Sequence, residues 1–289
     1  MKTAITCIRE SFIRLSNSAV KERISIIPPS QIAKSKRPFV AICNQLPNLK
    51  KVFGKGGKVT LISSGENLPI TEHKYLLNLN ELSVLGVQEF MIEQDVVKLL
   101  NFNYFETLNL GEMRDELKKC EPLLRNSEYV VIDMMCMKHS DFAPSTNPNG
   151  FTAEEMSQIS HYIGCSLNLK GIILYGVEKG LEQSCYNLIA QLCWITSNSL
   201  INNIIEDPAD AYKNNQNSAN FKHYVFTFDN DSQNIVFISS QESGRIWMEV
   251  PIVKKNKNVL IPCSNDDFRQ AMDKIIPNRW LMHYSKYNI

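Results

Sequence analysis

Short apolar runs rich in β-branched residues alternate with amphipathic stretches along the first two thirds of the chain, and this alternation limits the possible folds most strongly. The runs predicted as buried strands are residues 38–43, 58–62, 87–92, 129–134 and 171–175. Helical spacing of apolar side chains predicts helices over residues 112–124 and 185–195, and Thr152 with Glu155 three residues later is a capping box that starts another. The alternation predicts an α/β fold of three layers around a mostly parallel sheet, with ligands at the carboxyl ends of its strands.

The pattern changes towards the end of the chain. Residues 213–222 are rich in asparagine and poor in large apolar side chains, which predicts a linker. Beyond it, alternation of period two predicts four short antiparallel strands, and Ser264 with Asp267 predicts the start of a last helix. We therefore expect a main α/β domain over residues 1–212 and a small antiparallel α+β extension over residues 223–289.

Composition excludes several classes of protein. The chain has 289 residues, with 31 Lys and Arg against 30 Asp and Glu, so its net charge of +1 provides no general attraction to nucleic acid or to an anionic membrane. No apolar run approaches the ~20 residues of a membrane helix, and the N-terminus lacks the apolar core of a signal peptide. Eight cysteines without a C-x-x-C pair favour reduced thiols. We expect a cytoplasmic protein with no membrane insertion and no nucleic-acid partner.

One stretch carries most of the functional information. A predicted strand ends at Asp133, a polar loop containing Ala143-Pro144-Ser145-Thr146 follows, and Asn149-Gly150-Phe151-Thr152 precedes a helix. The next predicted strand, residues 171–175, is followed by Gly176 and Glu178. Near the end of the chain stand Trp247-Met248-Glu249-Val250-Pro251 and Pro277-Asn278-Arg279-Trp280. In this order the motifs resemble the arginase family of ureohydrolases, most closely its bacterial formimidoylglutamase-like members, over residues 84–205 and 224–284.

This resemblance implies an arginase-like fold and a specific chemistry. Ureohydrolases of this family hold two Mn²⁺ ions, about 3.5–4 Å apart, that deprotonate a bridging water for attack on a C–N bond. Their ligands come from a Gly-Gly-Asp-His motif, an Asp-Ala-His-x-Asp motif and the Asp-x-Asp motif at a strand end. Carboxylate and imidazole ligands are needed at each place to hold such ions.

The chain departs from that ligand set at every motif. Ser64-Gly65-Glu66-Asn67 offers Asn67 in place of the ligand histidine, and residues 67–87 contain no counterpart of the second motif, as though a strand–helix unit were missing and the domain shortened. Met135 replaces the second aspartate after Asp133, and Gly176 replaces a substrate-orienting glutamate that Glu178 would have to supply. We expect no bound metal, no cofactor and no catalytic residue, and a residual pocket with the candidates Asn67, Asp133, His139, Asp141 and Glu178.

Three functions remain open on this evidence. The first is a pseudo-ureohydrolase that binds a protein or small ligand, or forms a homo-oligomer. The second is a metal-dependent C–N hydrolase of the formimidoylglutamase or agmatinase type, in which Asp133, His139, Asp141 and Glu178 surround a single metal such as manganese. The third is a scaffold that docks through its extension, where Trp247, Trp280 and Tyr284 are candidates either for partner binding or for internal packing.

Overall fold

The chain forms two compact units in the computed structural model, Met1–Asn203 and Ile204–Ile289. The model describes residues 3–15, 18–54, 56–66, 68–70, 74–213, 219–228 and 233–288. The boundary between the units lies nine residues before the start of the predicted linker, and half of that linker, residues 214–218, is outside the described residues.

A parallel sheet forms the centre of the first unit. In the described part of the chain it has seven strands, in the spatial order β1-β2-β7-β6-β3-β4-β5, and every neighbouring pair is parallel. The strands are β1 Ser25–Ile27, β2 Phe39–Ile42, β3 Lys58–Ile62, β4 Glu81–Val87, β5 Glu106–Asn109, β6 Tyr129–Asp133 and β7 Gly171–Tyr175.

Alternation along each strand divides the core between the two faces of this sheet. In β6, for example, Val130 and Ile132 join one apolar cluster, and Tyr129 and Val131 join the other. The helices of this unit are α1 Ala4–Leu15, α2 Ser18–Lys21, α3 Lys50–Phe53, α4 Gln94–Phe102, α5 Leu110–Asp115, α6 Glu121–Arg125, α7 Ala153–Gly164 and α8 Gln183–Ile201. Residues of α1 and α5 to α8 pack on one face, and residues of α3 and α4 on the other, which confirms the predicted three-layer α/β architecture.

Two predicted elements are wrong. The strand predicted at residues 87–92 is a turn, because β4 ends at Val87 and the amide of Met91 donates to the carbonyl of Gln88. Phe90, which made the run look buried, is 78% exposed. The helix predicted over residues 112–124 is broken into α5, a 3₁₀ turn and α6, because Glu116 is extended and Pro122 has no backbone N–H to continue a helix.

In its described residues the second unit has the four-stranded antiparallel sheet predicted for the extension, and two helices where one was predicted. Its strands β8 Phe221–Phe228, β9 Gln233–Ser240, β10 Ile246–Ile252 and β11 Lys257–Cys263 lie in the order β11-β10-β9-β8. The helices are α9 Asn265–Met272 and α10 Asn278–Asn288. Ser264 and Asp267 form the predicted capping box at the start of α9. None of the helices in the described part of the chain combines the length and apolar character needed to cross a bilayer.

Candidate functional site

A cleft opens at the carboxyl ends of β2, β3, β6 and β7, the edge of the sheet where ligand binding was predicted. Its volume is about 660 Å³. Each strand of a parallel sheet delivers the loop after it to the same edge, so four segments that are distant in sequence meet here. We call it the carboxyl-edge cleft, and it is lined by Asn44, Gln45, Leu46, Ser64, Glu66, Pro69, Asp133, Met135, Pro144, Thr146, Asn147, Tyr175, Gly176 and Glu178.

Asp133 is the most strongly perturbed acidic group of the cleft. It is the last residue of β6, and only 6% of it is exposed. Its Oδ1 accepts a hydrogen bond of 2.9 Å from the backbone N–H of Met135, and the hydroxyl groups of Tyr175 and Ser63 also bond to the carboxyl group. Burial raises its pKa from 3.8 to about 6 in spite of these donors, and the nearby charge of Glu66 contributes to that rise.

The partners of Asp133 come from the two neighbouring strands. Tyr175 ends β7, and Ser63 follows β3 directly. Burial raises the pKa of the Tyr175 phenol, and the charge of Asp133 adds to that effect, so the phenol stays protonated and donates. The carboxylate of Asp133 therefore accepts its hydrogen bonds from groups of the protein itself.

Met135 and Gly176 fill the space beside this carboxylate. Gly176 has a φ of +79°, a conformation that favours glycine. A β-carbon at this position would lie 3.2 Å from Cε of Met135 and 3.6 Å from Oδ1 of Asp133. The thioether thus lies next to Asp133, and the loop after β7 is shaped around a residue without a side chain.

Of the remaining predicted site residues in the described part of the chain, only Glu178 lines the cleft with Asp133. Glu178 lines the cleft and is exposed to solvent. His139 is exposed, and its Nδ1 lies 2.6 Å from the carbonyl oxygen of Ser145. Asn67 lies outside the described residues.

Asp141 has a structural partner of its own. Its Oδ2 accepts a hydrogen bond of 2.6 Å from the N–H of Ala153, the first residue of α7, and this bond lowers the pKa of the carboxyl group. Neither Asp141 nor His139 lines the carboxyl-edge cleft. Asp141 completes the start of α7, together with the capping box of Thr152 and Glu155.

Several lining residues were not among the candidates from the sequence. Asn44 and Gln45 follow β2, Tyr175 ends β7, and the buried Asn147 belongs to the loop after β6. A further site motif was expected within residues 67–87, whereas the fourth strand end at the cleft belongs to β2. Only their position could have indicated Asn44 and Gln45 as site residues, because they come directly after a predicted buried strand.

The residues of the cleft do not fit a pair of manganese ions. Among the described residues, its lining offers three carboxylates, from Glu66, Asp133 and Glu178, and no imidazole. Within the described residues, nowhere do three His, Cys, Asp or Glu side chains converge as metal ligands would. The side chain beside Asp133 is moreover the thioether of Met135. A thioether is a soft ligand and is poorly suited to Mn²⁺.

The aromatic candidates of the second unit are mostly buried. Trp247 is fully buried, and Trp280 is 2% exposed, with its Nε1 donating to the carbonyl of Glu249 at 2.7 Å. The ring of Tyr284 stacks on Trp280 at a centroid distance of 5.0 Å. The two indole rings therefore offer little surface to a partner.

Comparison with solved structures identifies the architecture. A manganese-bound formiminoglutamase from Trypanosoma cruzi, determined at pH 8.5, superimposes with a TM-score of 0.52 and 11% identity, over 70% of this chain and 70% of that one. This chain has the ureohydrolase fold. Formimidoylglutamase from Bacillus subtilis subsp. subtilis str. 168 gives a TM-score of 0.47 at 13% identity, over 68% of this chain and 66% of that one, slightly less than two thirds of its length. Agmatine ureohydrolase of Thermoplasma volcanium gives 0.47 at 11% identity, over 70% and 72% of the two chains.

The sequence of this chain differs widely from those of the solved structures that share its fold. No protein-family model and no curated protein sequence matches it. At identities of 9–13%, the structural likeness concerns the fold, and the chemistry has to be argued from the residues of the cleft.

Proposed function

We propose that this chain is a catalytically degenerate ureohydrolase-fold protein, which binds a small polar ligand in the carboxyl-edge cleft without metal. The observation that carries the proposal is the state of Asp133. Its carboxyl group is bonded to the N–H of Met135 and to the hydroxyls of Tyr175 and Ser63. A carboxylate held in this way is a structural acceptor, and the amides of Asn44, Gln45 and Asn147 give the cleft hydrogen-bonding capacity for a ligand.

Manganese binding tests the loss of the metal. After loading with Mn²⁺ and desalting, elemental analysis of the purified protein should find no stoichiometric manganese. Asp133→Asn should give the same trace content as the wild type, because no metal depends on this carboxylate. Near-stoichiometric manganese in the wild type that falls in the variant would overturn the proposal.

The alternative is a metal-dependent C–N hydrolase that uses Asp133, His139, Asp141 and Glu178 around one ion. Its weakness is geometric, since His139 and Asp141 do not line the cleft and Asp141 is bonded to the start of α7. We expect no hydrolysis of formimidoylglutamate, agmatine or arginine with added Mn²⁺ or Co²⁺. Turnover that is abolished by Asp133→Ala would establish the hydrolase instead.

A role in a cytoplasmic assembly is compatible with the same proposal. A fold that keeps its complete core without a metal centre can serve as a scaffold for a protein partner or for a second copy of this chain. Light scattering on the purified protein and affinity capture from its own organism test these two arrangements. A strictly monomeric protein that captures nothing would restrict the proposal to ligand binding.

A further inference from the structure

The nearly neutral chain has a strongly uneven distribution of charge. Residues 21–58 hold nine of its 31 basic residues and one of its 30 acidic residues, which leaves 22 basic and 29 acidic residues elsewhere. The local net charge is therefore +8 in a protein whose total is +1. A segment of this kind attracts anions locally although the whole chain does not.

The fold brings part of this charge into a concave site. A second cleft, of about 490 Å³, lies at the amino ends of β2, β6 and β7, the opposite edge of the sheet from the carboxyl-edge cleft. We call it the amino-edge cleft. Four basic side chains from three separate segments line it: Lys36 and Arg37 before β2, Lys51 of α3, and Lys170 before β7.

Most of these charges are not neutralised by the protein. Within the described residues, Lys36 and Lys51 have no hydrogen-bond or ion-pair partner, and both are exposed. Arg37 donates to the carbonyl oxygen of Glu22 at 2.7 Å, which leaves its positive charge in place. Of the four, Lys170 alone has an ion-pair partner among the described residues, Glu128. Three uncompensated cations in one concavity repel each other, and a bound anion would relieve that repulsion.

The floor of the cleft is apolar. It is formed by Ile32, Pro38, Phe39, Val52, Tyr129 and Leu169. The ammonium group of Lys170 lies 6.0 Å from the centre of the Tyr129 ring, so charged and apolar surfaces adjoin each other. A volume of this size and a mixed lining suit a compact organic molecule.

We propose that the amino-edge cleft binds a small organic polyphosphate of the nucleoside di- or triphosphate class. The phosphates contact Lys36, Arg37 and Lys51, whose ammonium and guanidinium groups are suited to phosphate oxygens, and the uncharged moiety covers the apolar floor. This site is independent of the proposed function, because it shares no lining residue with the carboxyl-edge cleft.

The test uses ATP as the probe, in isothermal titration at low ionic strength on the full chain. We expect ATP to bind, inorganic pyrophosphate to bind more weakly because it has no apolar part, and adenosine not to bind. Lys36→Glu/Lys51→Glu should weaken ATP binding by at least roughly tenfold, because two attractive charges become repulsive ones. Added salt should weaken the wild-type interaction.

Matched variants make the outcome decisive. Lys254→Glu/Lys255→Glu changes the total charge equally in the other unit, and Asp133→Asn changes the other cleft; both should bind ATP as the wild type does. All substituted lysines are exposed, and circular dichroism verifies that each variant is folded. Absence of ATP binding, equal losses in both lysine pairs, or binding of a single-stranded oligonucleotide that ATP fails to displace would each overturn the proposal.

Discussion

Asp133 shows how the surroundings of a single residue set its chemistry. Its position at the end of a buried strand was evident from the sequence, and so was its neighbour Met135. The hydroxyl donors Tyr175 and Ser63 were not, because they follow two other strands and meet Asp133 only when the sheet forms. Residue-level reasoning therefore located the centre of the cleft and missed the groups that hold it.

The raised pKa of Asp133 predicts a specific dependence of stability on pH. In the folded state the proton is bound up to about pH 6, whereas in the unfolded state it is released near 3.8. The contribution of Asp133 to stability is thus most favourable below that lower value, falls as the pH rises to about 6, and stays low above it. Asp133→Asn should remove this slope and stabilise the protein at pH 7 by up to roughly 2–3 kcal/mol, measured by urea denaturation across pH.

Asp141 provides the control of opposite sign. Its pKa is lowered by the hydrogen bond from Ala153, so its contribution to stability is present at neutral pH and is lost on acidification. Asp141→Asn should therefore be less stable than the wild type at pH 7, with the difference closing as the pH falls. The same pH profile in both variants would contradict the assignment of the raised pKa to Asp133.

At the scale of elements, the sequence was informative where local patterns decide the structure. The strands at residues 58–62 and 171–175 and both capping boxes follow from apolar runs and from side chains that bond nearby amides. The short strands β1 and β5 were not predicted, because three or four residues with neighbouring polar positions have no distinct period. The whole of β4 was misplaced, at residues 87–92 in place of Glu81–Val87, because Gly86, at an irregularity in the pairing with β5, interrupts the apolar run.

The conformation of Gly86 allows a prediction about the stability of the first unit. Its φ is +87°, and a β-carbon there would come within 2.2 Å of Cε2 in the ring of Phe151. Gly86→Ala should lower the free energy of unfolding by about 2–4 kcal/mol, through backbone strain and overpacking. Gly111→Ala is the matched control, because its β-carbon would meet nothing within 4 Å and it lies in α5, where alanine should stabilise by about 0.5–1 kcal/mol. Equal effects of the two substitutions in chemical denaturation would refute this account.

At the scale of the whole molecule, the predicted division of the chain and the compact units differ by the segment 204–212. Arg245 donates to the carbonyl of Ile204 at 3.1 Å and lies 3.8 Å from the carboxylate of Glu206. The ring of Tyr212 meets His223 edge-on, with centroids 5.3 Å apart. Composition predicts a linker only from residue 213 onward, whereas the contacts of residues 204–212 place those residues in the second unit.

These contacts predict that residues 204–212 stabilise the second unit. A fragment of residues 204–289 should fold with its own core, whereas a fragment of residues 213–289 should melt at a lower temperature, because Arg245 loses a buried partner in Glu206 and His223 loses Tyr212. Thermal denaturation followed by circular dichroism compares the two. Identical melting temperatures would show that the segment contributes nothing to the second unit.

The groups around Asp133 also bear on what a metal centre at this edge of the sheet would require. Met135→Asp alone would place a second acidic group beside a carboxyl group whose pKa is already raised, so we expect one of the two to remain protonated. A glutamate at position 176 would require a left-handed backbone and would meet Met135. We therefore expect each of these single substitutions to cost stability in the cleft as it stands, before any ion could bind.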